Sequence, residues 1–397
     1  MSALKILPDI YSVGVVDWNM RSFHGHTYST KRGTTYNAYL IIDEKIALVD
    51  TVLGSFSEEL IANIKEIIPL EKIDYIIANH VETDHSGALP AVMKLCPRAK
   101  VLGTAKCKEG LFRNYYENWD FQVVKSGDIL KLGKRSLSFI EAPMIHWPDS
   151  MFSYCPEEAL LMPNDAFGQH YATGARFDDE VDQCELMDEA AKYYANILVP
   201  LGAVILRKIE EVKKMNLPIK MIAPSHGIIW RKDPGKIINA YASWAKNETK
   251  PKAVVVYETM WGATEKMARK IVEGITDSGV EVKLFDVAVS DRTEITKEML
   301  NAKVFVFGSS THDNGMLPNF AGFLDFIKGL APKNRFACVF GSYGWAGGAV
   351  KEIEGVLKAA GIELVMPGLS IKYMPDETEM KNCYNYGKEI AQKTKGG

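Results

Sequence analysis

The sequence predicts an α/β protein built as two consecutive domains, and three observations carry that prediction. The chain is 397 residues long, more than a single hydrophobic core usually serves. Its first part alternates short apolar runs with amphipathic stretches, and several times sets a His or Asp just past such a run. Its last part changes vocabulary. There, long apolar runs are each followed by a loop of glycine and hydroxyl residues and then a helical segment, the βαβ rhythm of a doubly wound parallel sheet.

Composition narrows the function classes. Hydrophobic residues make up 47%, ample for sizeable cores, and a net charge of -3 gives no electrostatic case for nucleic acid or an anionic membrane. The six cysteines (Cys96, Cys107, Cys155, Cys184, Cys338, Cys383) are scattered with no CxxC pair. That argues against a disulfide framework, a rubredoxin centre or a ferredoxin cluster within this sequence. The N-terminus carries an early Asp and no long apolar core, and no run has the length of a membrane span. A soluble, cytoplasmic protein is expected.

Taken in order, residues 1–50 read as β-structure. Asn37–Ile42 and Ile46–Asp50 are apolar runs separated by a polar turn, and Arg21–Arg32 between them and the N-terminus is a polar loop holding His24 and His26. Ser57–Ile68 is amphipathic with a charged face, predicting a helix, and Ile73–Ala78 predicts the next strand. Further strands are expected near Lys100–Gly103, Phe121–Lys125, Ser136–Glu141 and Leu160–Met162, with a helical stretch over Asp188–Lys214.

The chemistry concentrates just past Ile73–Ala78, in NHVETDHSGALP. His80, Glu82 and Asp84 alternate, so in an extended segment they face one point, and His85 follows at the start of a helix. Nitrogen and oxygen donors this close suit a metal ion. Standing alone, the motif is also readable, less readily, as a solvated polar loop. Three later segments repeat its grammar of apolar strand, loop and metal-capable side chain: His146 in APMIHWPDSM, Asp165 in LLMPNDAFGQH and His226 in MIAPSHG. Asp50, ending its own apolar run, is a carboxylate able to support such a site, or a structural cap.

This ordered series resembles the metallo-β-lactamase superfamily, which implies an αββα sandwich with two metals at the strand ends. One departure matters. Where the hydrolases of that superfamily have a second His, this chain has Glu82. A carboxylate hardens the site and favours iron over zinc. By matched positions, the resemblance implies one iron on His80, Glu82 and His146, another on Asp84, His85 and His226, and Asp165 bridging them.

Ala245–Lys252 is charged and contains proline, and reads as a linker. Beyond it, Ala253–Tyr257, Val282–Phe285, Val304–Gly308, Phe336–Gly341 and Glu363–Met366 predict strands. Their first loop lacks both GxGxxG and the Walker lysine, so neither a dinucleotide site nor an NTPase is indicated. It instead sets Thr259, Met260, Trp261, Gly262, Ala263 and Thr264 at a helix N-terminus, where hydroxyls and free N–H groups can cradle a phosphate. Thr311, His312, Asp313 and Asn314 form a second loop. Ser342, Tyr343, Gly344, Trp345, Gly347 and Gly348 form a third, whose aromatic rings suit a flat ligand. Together the three loops resemble those of the flavodoxin fold, which implies FMN.

The whole sequence thus resembles the flavodiiron proteins: a metallo-β-lactamase-like αββα sandwich over residues 1–248, and a flavodoxin-like doubly wound sheet over residues 249–397. That resemblance implies an oxidoreductase with two irons and one FMN per chain. The expected reaction is four-electron reduction of O2 to water, with NO reduction to N2O as the alternative. Similarity to the methanogen members implies reduced coenzyme F420 as donor, a separate rubredoxin being the runner-up. A head-to-tail homodimer or dimer of dimers is also implied. His24, His26, Tyr193 and Tyr194 are expected as hydrogen-bonding or gating groups near the irons. Two rivals remain: a zinc hydrolase of the glyoxalase II kind, opposed by Glu82, and a flavin-binding carrier or regulator, opposed by the full ligand series.

Overall fold

The computed structural model describes residues 2–396; Met1 and Gly397, the outer ends of the two expected domains, lie outside them. The chain divides into two compact units: Met1–Tyr193 with Ala203–Ala242, and Tyr194–Gly202 with Ser243–Gly397.

The first unit is built on two sheets. Seven strands run in the order Leu4–Leu7, Ile10–Ser12, Tyr39–Ile41, Ala47–Val49, Tyr75–Ile77, Lys100–Gly103 and Phe121–Val123, antiparallel up to Ala47–Val49 and parallel after it. Five form the other sheet, in the order Ile129–Lys131, Ser136–Glu141, Met151–Cys155, Leu160–Met162 and Met221–Ile222. Side chains alternate across the larger sheet as strand geometry requires. Leu48, Ile76 and Val101 turn outward to Leu60 and Ile64 of the helix Ser57–Lys65 and to Val92 of Leu89–Leu95. Val49, Ile77 and Leu102 turn inward to Phe139, Met151 and Leu160 of the other sheet. Helix, sheet, sheet and helix are therefore layered with a core at each junction, the last layer coming from Gly202–Lys214 and Pro234–Ala245.

The second unit is a parallel sheet in the order Glu281–Asp286, Lys250–Glu258, Ala302–Ser310, Phe336–Tyr343 and Glu363–Leu364, with Leu369–Lys372 also pairing Phe336–Tyr343. Helices Ala263–Asp277 and Glu377–Gly396 cover one face, and Arg292–Met299, Pro318–Leu330 and Ala349–Ala359 the other. The strand order reverses beside Lys250–Glu258, the switch point where such sheets open a ligand crevice.

Two expectations need correction, and one strand is additional. The helical stretch over Asp188–Lys214 is not continuous: Gln183–Tyr193 gives way to a π-turn at Tyr194–Leu198 and a 3-10 turn at Val199–Leu201 before Gly202–Lys214. Pro200 has no N–H to continue an α-ladder, so the winding must change there. The linker is shorter than Ala245–Lys252, because Lys250–Glu258 is already strand. Lys252 is buried and its charge is met by Glu298 at 2.5 Å, which is how a charged linker-like sequence enters a core. The strand Met151–Cys155 was not anticipated; all five of its residues are buried, so it lacks the alternation that marks a half-exposed strand.

Candidate functional site

Four loops at strand ends in the first unit bring seven side chains together. Their local structure differs from the sequence expectation at one point: Thr83–Ser86 is a helical turn, so Asp84 is not in line with His80 and Glu82. The turn rotates Asp84 and His85 away toward His226, and the side chains gather in two ligand groups divided as the family resemblance implies. His80, His146 and Asp165 form one set whose donor atoms all lie within 4.8 Å of one another, and Asp84, His85 and His226 form another. Asp165 stands between them. Its Oδ2 lies 3.6 Å from His80 Nε2 and 3.5 Å from His146 Nε2, while its Oδ1 lies 3.2 Å from His85 Nε2 and 3.3 Å from His226 Nε2. Glu82 Oε2 closes the first set at 3.3 Å from His80 Nε2 and 3.4 Å from His146 Nε2.

These residues fit metal ions. Both oxygens of Asp84, Oδ2 of Asp165, and Nε2 of His85 and of His226 are buried without any hydrogen-bond partner. Buried polar atoms are nearly always satisfied, and here the orphaned atoms converge on shared points. The electrostatics agree. Burial alone would raise the Asp165 carboxyl, yet the neighbouring His85 and His226 hold it well below the usual carboxylate range. Burial lowers His85 and His226, but Asp165 and Asp84 lift each of them to about 9. Glu82, opposed by burial, is lowered by His146, His24 and His80. Glu82, Asp84 and Asp165 thus bring three negative charges together, a setting that favours cations.

The surroundings orient the ligands. His80 Nδ1 lies 3.1 Å from Asp149 Oδ2, which also accepts from the amide of Val81 at 2.7 Å. His226 Nδ1 donates to the carbonyl of Thr35 at 2.7 Å. Each bond fixes its ring with Nε2 turned toward the ligand set. Asp50 acts one step back, accepting from Asn79 N at 2.8 Å and Nδ2 at 3.1 Å, and so pins the start of the ligand loop. Access is asymmetric: the side chains of Glu82 and His146 are 18% and 10% exposed, whereas Asp84, His85 and His226 are buried.

The weaker expectations separate. Tyr193 donates to Asp165 Oδ1 at 3.0 Å, and His24 Nε2 lies 3.4 Å from Glu82 Oε1. His26 is exposed and pairs with Ser22 Oγ at 2.8 Å. Tyr194 belongs to the second unit, its ring 5.1 Å from Trp244, because the π-turn that begins with it carries the chain out of the first. Two residues escaped the sequence reading. Asp149 lies three positions past His146, and His170 five past Asp165. His170 is buried, with Nδ1 2.8 Å from Thr34 Oγ1 and its ring 5.1 Å from those of Tyr193 and His226. Burial first, then His226 and His24, push it well below the usual histidine range.

In the second unit the three loops meet at the carboxyl ends of the strands. Gly262 caps Ala263–Asp277 with φ +84°, a conformation that favours glycine. Its N–H donates to Thr259 Oγ1 at 3.1 Å, and Met260 N donates to Ser310 Oγ at 3.2 Å. Thr264 is fully buried, its hydroxyl within 2.9 Å of Ser310 Oγ and 2.8 Å of Ser342 Oγ, so it ties the loops together. Thr311 Oγ1 accepts from Gly348 N and Ala349 N, both at 3.3 Å. The loop His312–Gly315 closes on itself through paired backbone bonds, with Asp313 and Asn314 both at positive φ. A Cβ on Gly348 would fall 1.7 Å from the Asn314 carbonyl, so only glycine fits there. Trp261 and Trp345 are 83% and 88% exposed, flanking the crevice as unpacked aromatic planes. Ala263, Tyr343, Gly344 and Gly347 complete it.

Comparison with known proteins is consistent along the chain. Residues 34–227 match the ODP family beta lactamase model and residues 255–387 the flavodoxin model. The chain is 55% identical to a nitric oxide reductase of Moorella thermoacetica, over 98% of both chains. It is 43% identical to the anaerobic nitric oxide reductase flavorubredoxin of Escherichia coli K12, over 98% of this chain and 82% of that one. Among solved structures, the rubredoxin oxygen:oxidoreductase of Desulfovibrio gigas superposes with a TM-score of 0.97 at 37% identity, covering 99% of each chain. A flavodiiron protein from Giardia intestinalis gives 0.95 at 36%, over 99% of this chain and 97% of that one.

Proposed function

The chain belongs to the flavodiiron protein family, and from that premise we propose that it reduces nitric oxide to nitrous oxide at its metal pair. Flavodiiron proteins carry FMN in the flavodoxin domain and two irons in the lactamase-like domain, and this chain is an oxidoreductase of that kind. The observation that carries NO over the O2 expected from the sequence is the 55% identity, over 98% of both chains, with a protein named for nitric oxide reduction. O2 reduction is the second reading, favoured by the name of the Desulfovibrio structure. Reduced F420 finds no support in these names, whereas rubredoxin stands in two of them, so a rubredoxin-type carrier is the donor in this reading.

When bound, the irons and FMN supply the electrons, two for each N2O formed. The chain's own residues arrange the rest. Asp165 offers one oxygen to each ligand set and would help to hold both ions. Asp149 and Thr35 hold His80 and His226 with Nε2 facing inward. Tyr193 keeps a proton against Asp165 Oδ1, and would hold it close to the metal pair. Substrate and protons reach the site from the side of Glu82 and His146, its exposed edge. The reading includes a head-to-tail homodimer in which the FMN of one subunit serves the metal pair of the other. Exposed Met144 and Trp147 beside His146, and exposed Trp261 and Trp345, offer apolar surface for it. Among the described residues all six cysteines are free and no helix is long and apolar enough to cross a membrane; a cytoplasmic location suits both.

The experiment is turnover of protein loaded with Fe(II) and FMN and fed by reduced rubredoxin, with NO under anaerobic conditions and, separately, with O2. N2O is followed by gas chromatography and O2 uptake at an electrode. Faster N2O formation supports the proposal; O2 uptake alone selects the second reading. Asp165→Ala and His226→Ala should each abolish turnover with FMN still bound, and activity surviving in both would refute the metal assignment.

A further inference from the structure

On the outer face of the smaller sheet, beneath the helix Gly202–Lys214, lies a cavity of about 590 Å³ that the site described above does not use. Hydrocarbon dominates its walls: Phe152 and Leu161 from the sheet, Ile205 and Ile209 from the helix. The lysines among its lining residues are engaged elsewhere. Lys208 Nζ donates to the Glu141 carbonyl and pairs with Glu211, both at 2.7 Å, and Lys213 pairs with Glu210 at 3.4 Å. The cavity opens to solvent on the side of Lys213, Asn216 and Pro218, whereas its inner walls offer little to an ion or a polar solute. Apolar walls of this kind take up apolar atoms and molecules.

Its remaining wall connects it to the metal centre. Ile145, which lines it, immediately precedes His146, and Phe167, which also lines it, follows Asp165 by two residues. Phe167 is held rigidly: its N–H donates to Tyr241 Oη and its carbonyl accepts from Trp230 Nε1, each at 2.9 Å, and its ring lies 4.7 Å from that of Tyr241. The backs of two ligand-bearing loops thus form part of the cavity surface.

We propose that this cavity is a holding site for the diatomic substrate, a small neutral gas that prefers hydrocarbon to water, kept directly behind the loops of His146 and Asp165. The inference rests on the function proposed above, which requires such a gas and no other apolar molecule.

Xenon is the probe, applied under pressure to crystals of the protein loaded with iron and FMN. The expected result is xenon within the cavity, against Phe152 and Ile209. Ile205→Phe, or the more tolerant half-buried Val212→Phe should the first variant misfold, should displace it. The KM for NO should then rise several-fold, with kcat, iron and FMN content unchanged. An empty cavity under xenon would overturn the proposal, as would an ordered hydrocarbon molecule that copurifies there, or an unchanged KM in a folded variant that has lost xenon. Xenon bound in a protein that turns over neither NO nor O2 would refute instead the function on which the substrate assignment rests.

Discussion

Asp149 lies 69 residues from His80 in sequence, yet its carboxylate sits 3.1 Å from the His80 Nδ1 and 2.7 Å from the next amide, that of Val81. One side chain thereby fixes both the tautomer of a ligand and the path of the ligand loop. Partners of this kind typically control metal affinity 10–100-fold. Asp149→Ala should weaken the set containing His80, Glu82 and His146 by about that factor, and leave Asp84, His85 and His226 loaded. Titration against a competing chelator should resolve one tight and one weakened iron. Two tight irons would show that Asp149 only shapes the loop.

Tyr193 tests the centre from the other side. Burial, then Asp165, push its hydroxyl well above the usual tyrosine range, so it stays a donor to Asp165 Oδ1. Hydrogen bonds to charged groups contribute about 1.5–3 kcal/mol. If that interaction matters to the reaction, Tyr193→Phe should lower kcat roughly tenfold while iron and FMN stay bound. Loss of iron at unchanged kcat per iron would instead make Tyr193 a support for the ligand.

In the flavin unit, the Thr264 hydroxyl is the link common to Ser310 and Ser342. Thr264→Val keeps its shape and removes the link, leaving both serines without that partner. FMN affinity of the stripped protein, followed by flavin fluorescence, should fall roughly tenfold, as expected for losing one or two buried hydrogen bonds. Metal content should not change. Unaltered FMN affinity would mean that the loops hold their shape without Thr264.

The metal-capable residues are legible because each closes an apolar strand run, and that signal is local. Asp149 and His170 lie in the same segments as His146 and Asp165, but their roles depend on partners far along the chain, His80 and Thr34, which only the closed sandwich brings near. The division into two ligand sets is implied by the family resemblance, but the local turn that produces it is illegible in the residues themselves. The alternation His80, Glu82, Asp84 fits a strand equally well, and the helical turn Thr83–Ser86 that overrides it is a tertiary choice, packed where Ala88 N reaches the Val52 carbonyl and Thr51 the His85 carbonyl. The parallel sheet of the second unit read more easily, because strands buried on both faces appear as continuous apolar runs.

The last prediction concerns pH. Without metal, His85 and His226 are each held at about 9: burial works against their protonation, but the carboxylates of Asp165 and Asp84 prevail. A metal ion needs the neutral ring with Nε2 free, so at pH 7 it must displace those protons. Affinity of this set for Fe(II) should therefore climb as pH rises from 7 toward 9 and level off above, releasing between one and two protons per ion because the two rings share the same carboxylates. Stability of the metal-free protein should move the opposite way. Groups raised above the ordinary histidine value stabilise the fold fully below about 6.5, and that contribution is lost as pH passes through about 9. Chelated protein should accordingly melt lower at pH 9.5 than at pH 6.5, while iron-loaded protein, whose rings are already neutral, should lack this component. Calorimetry in buffers of different ionisation enthalpy counts the protons directly. An affinity that stays flat from pH 7 to 9 would mean that the rings are neutral before metal arrives.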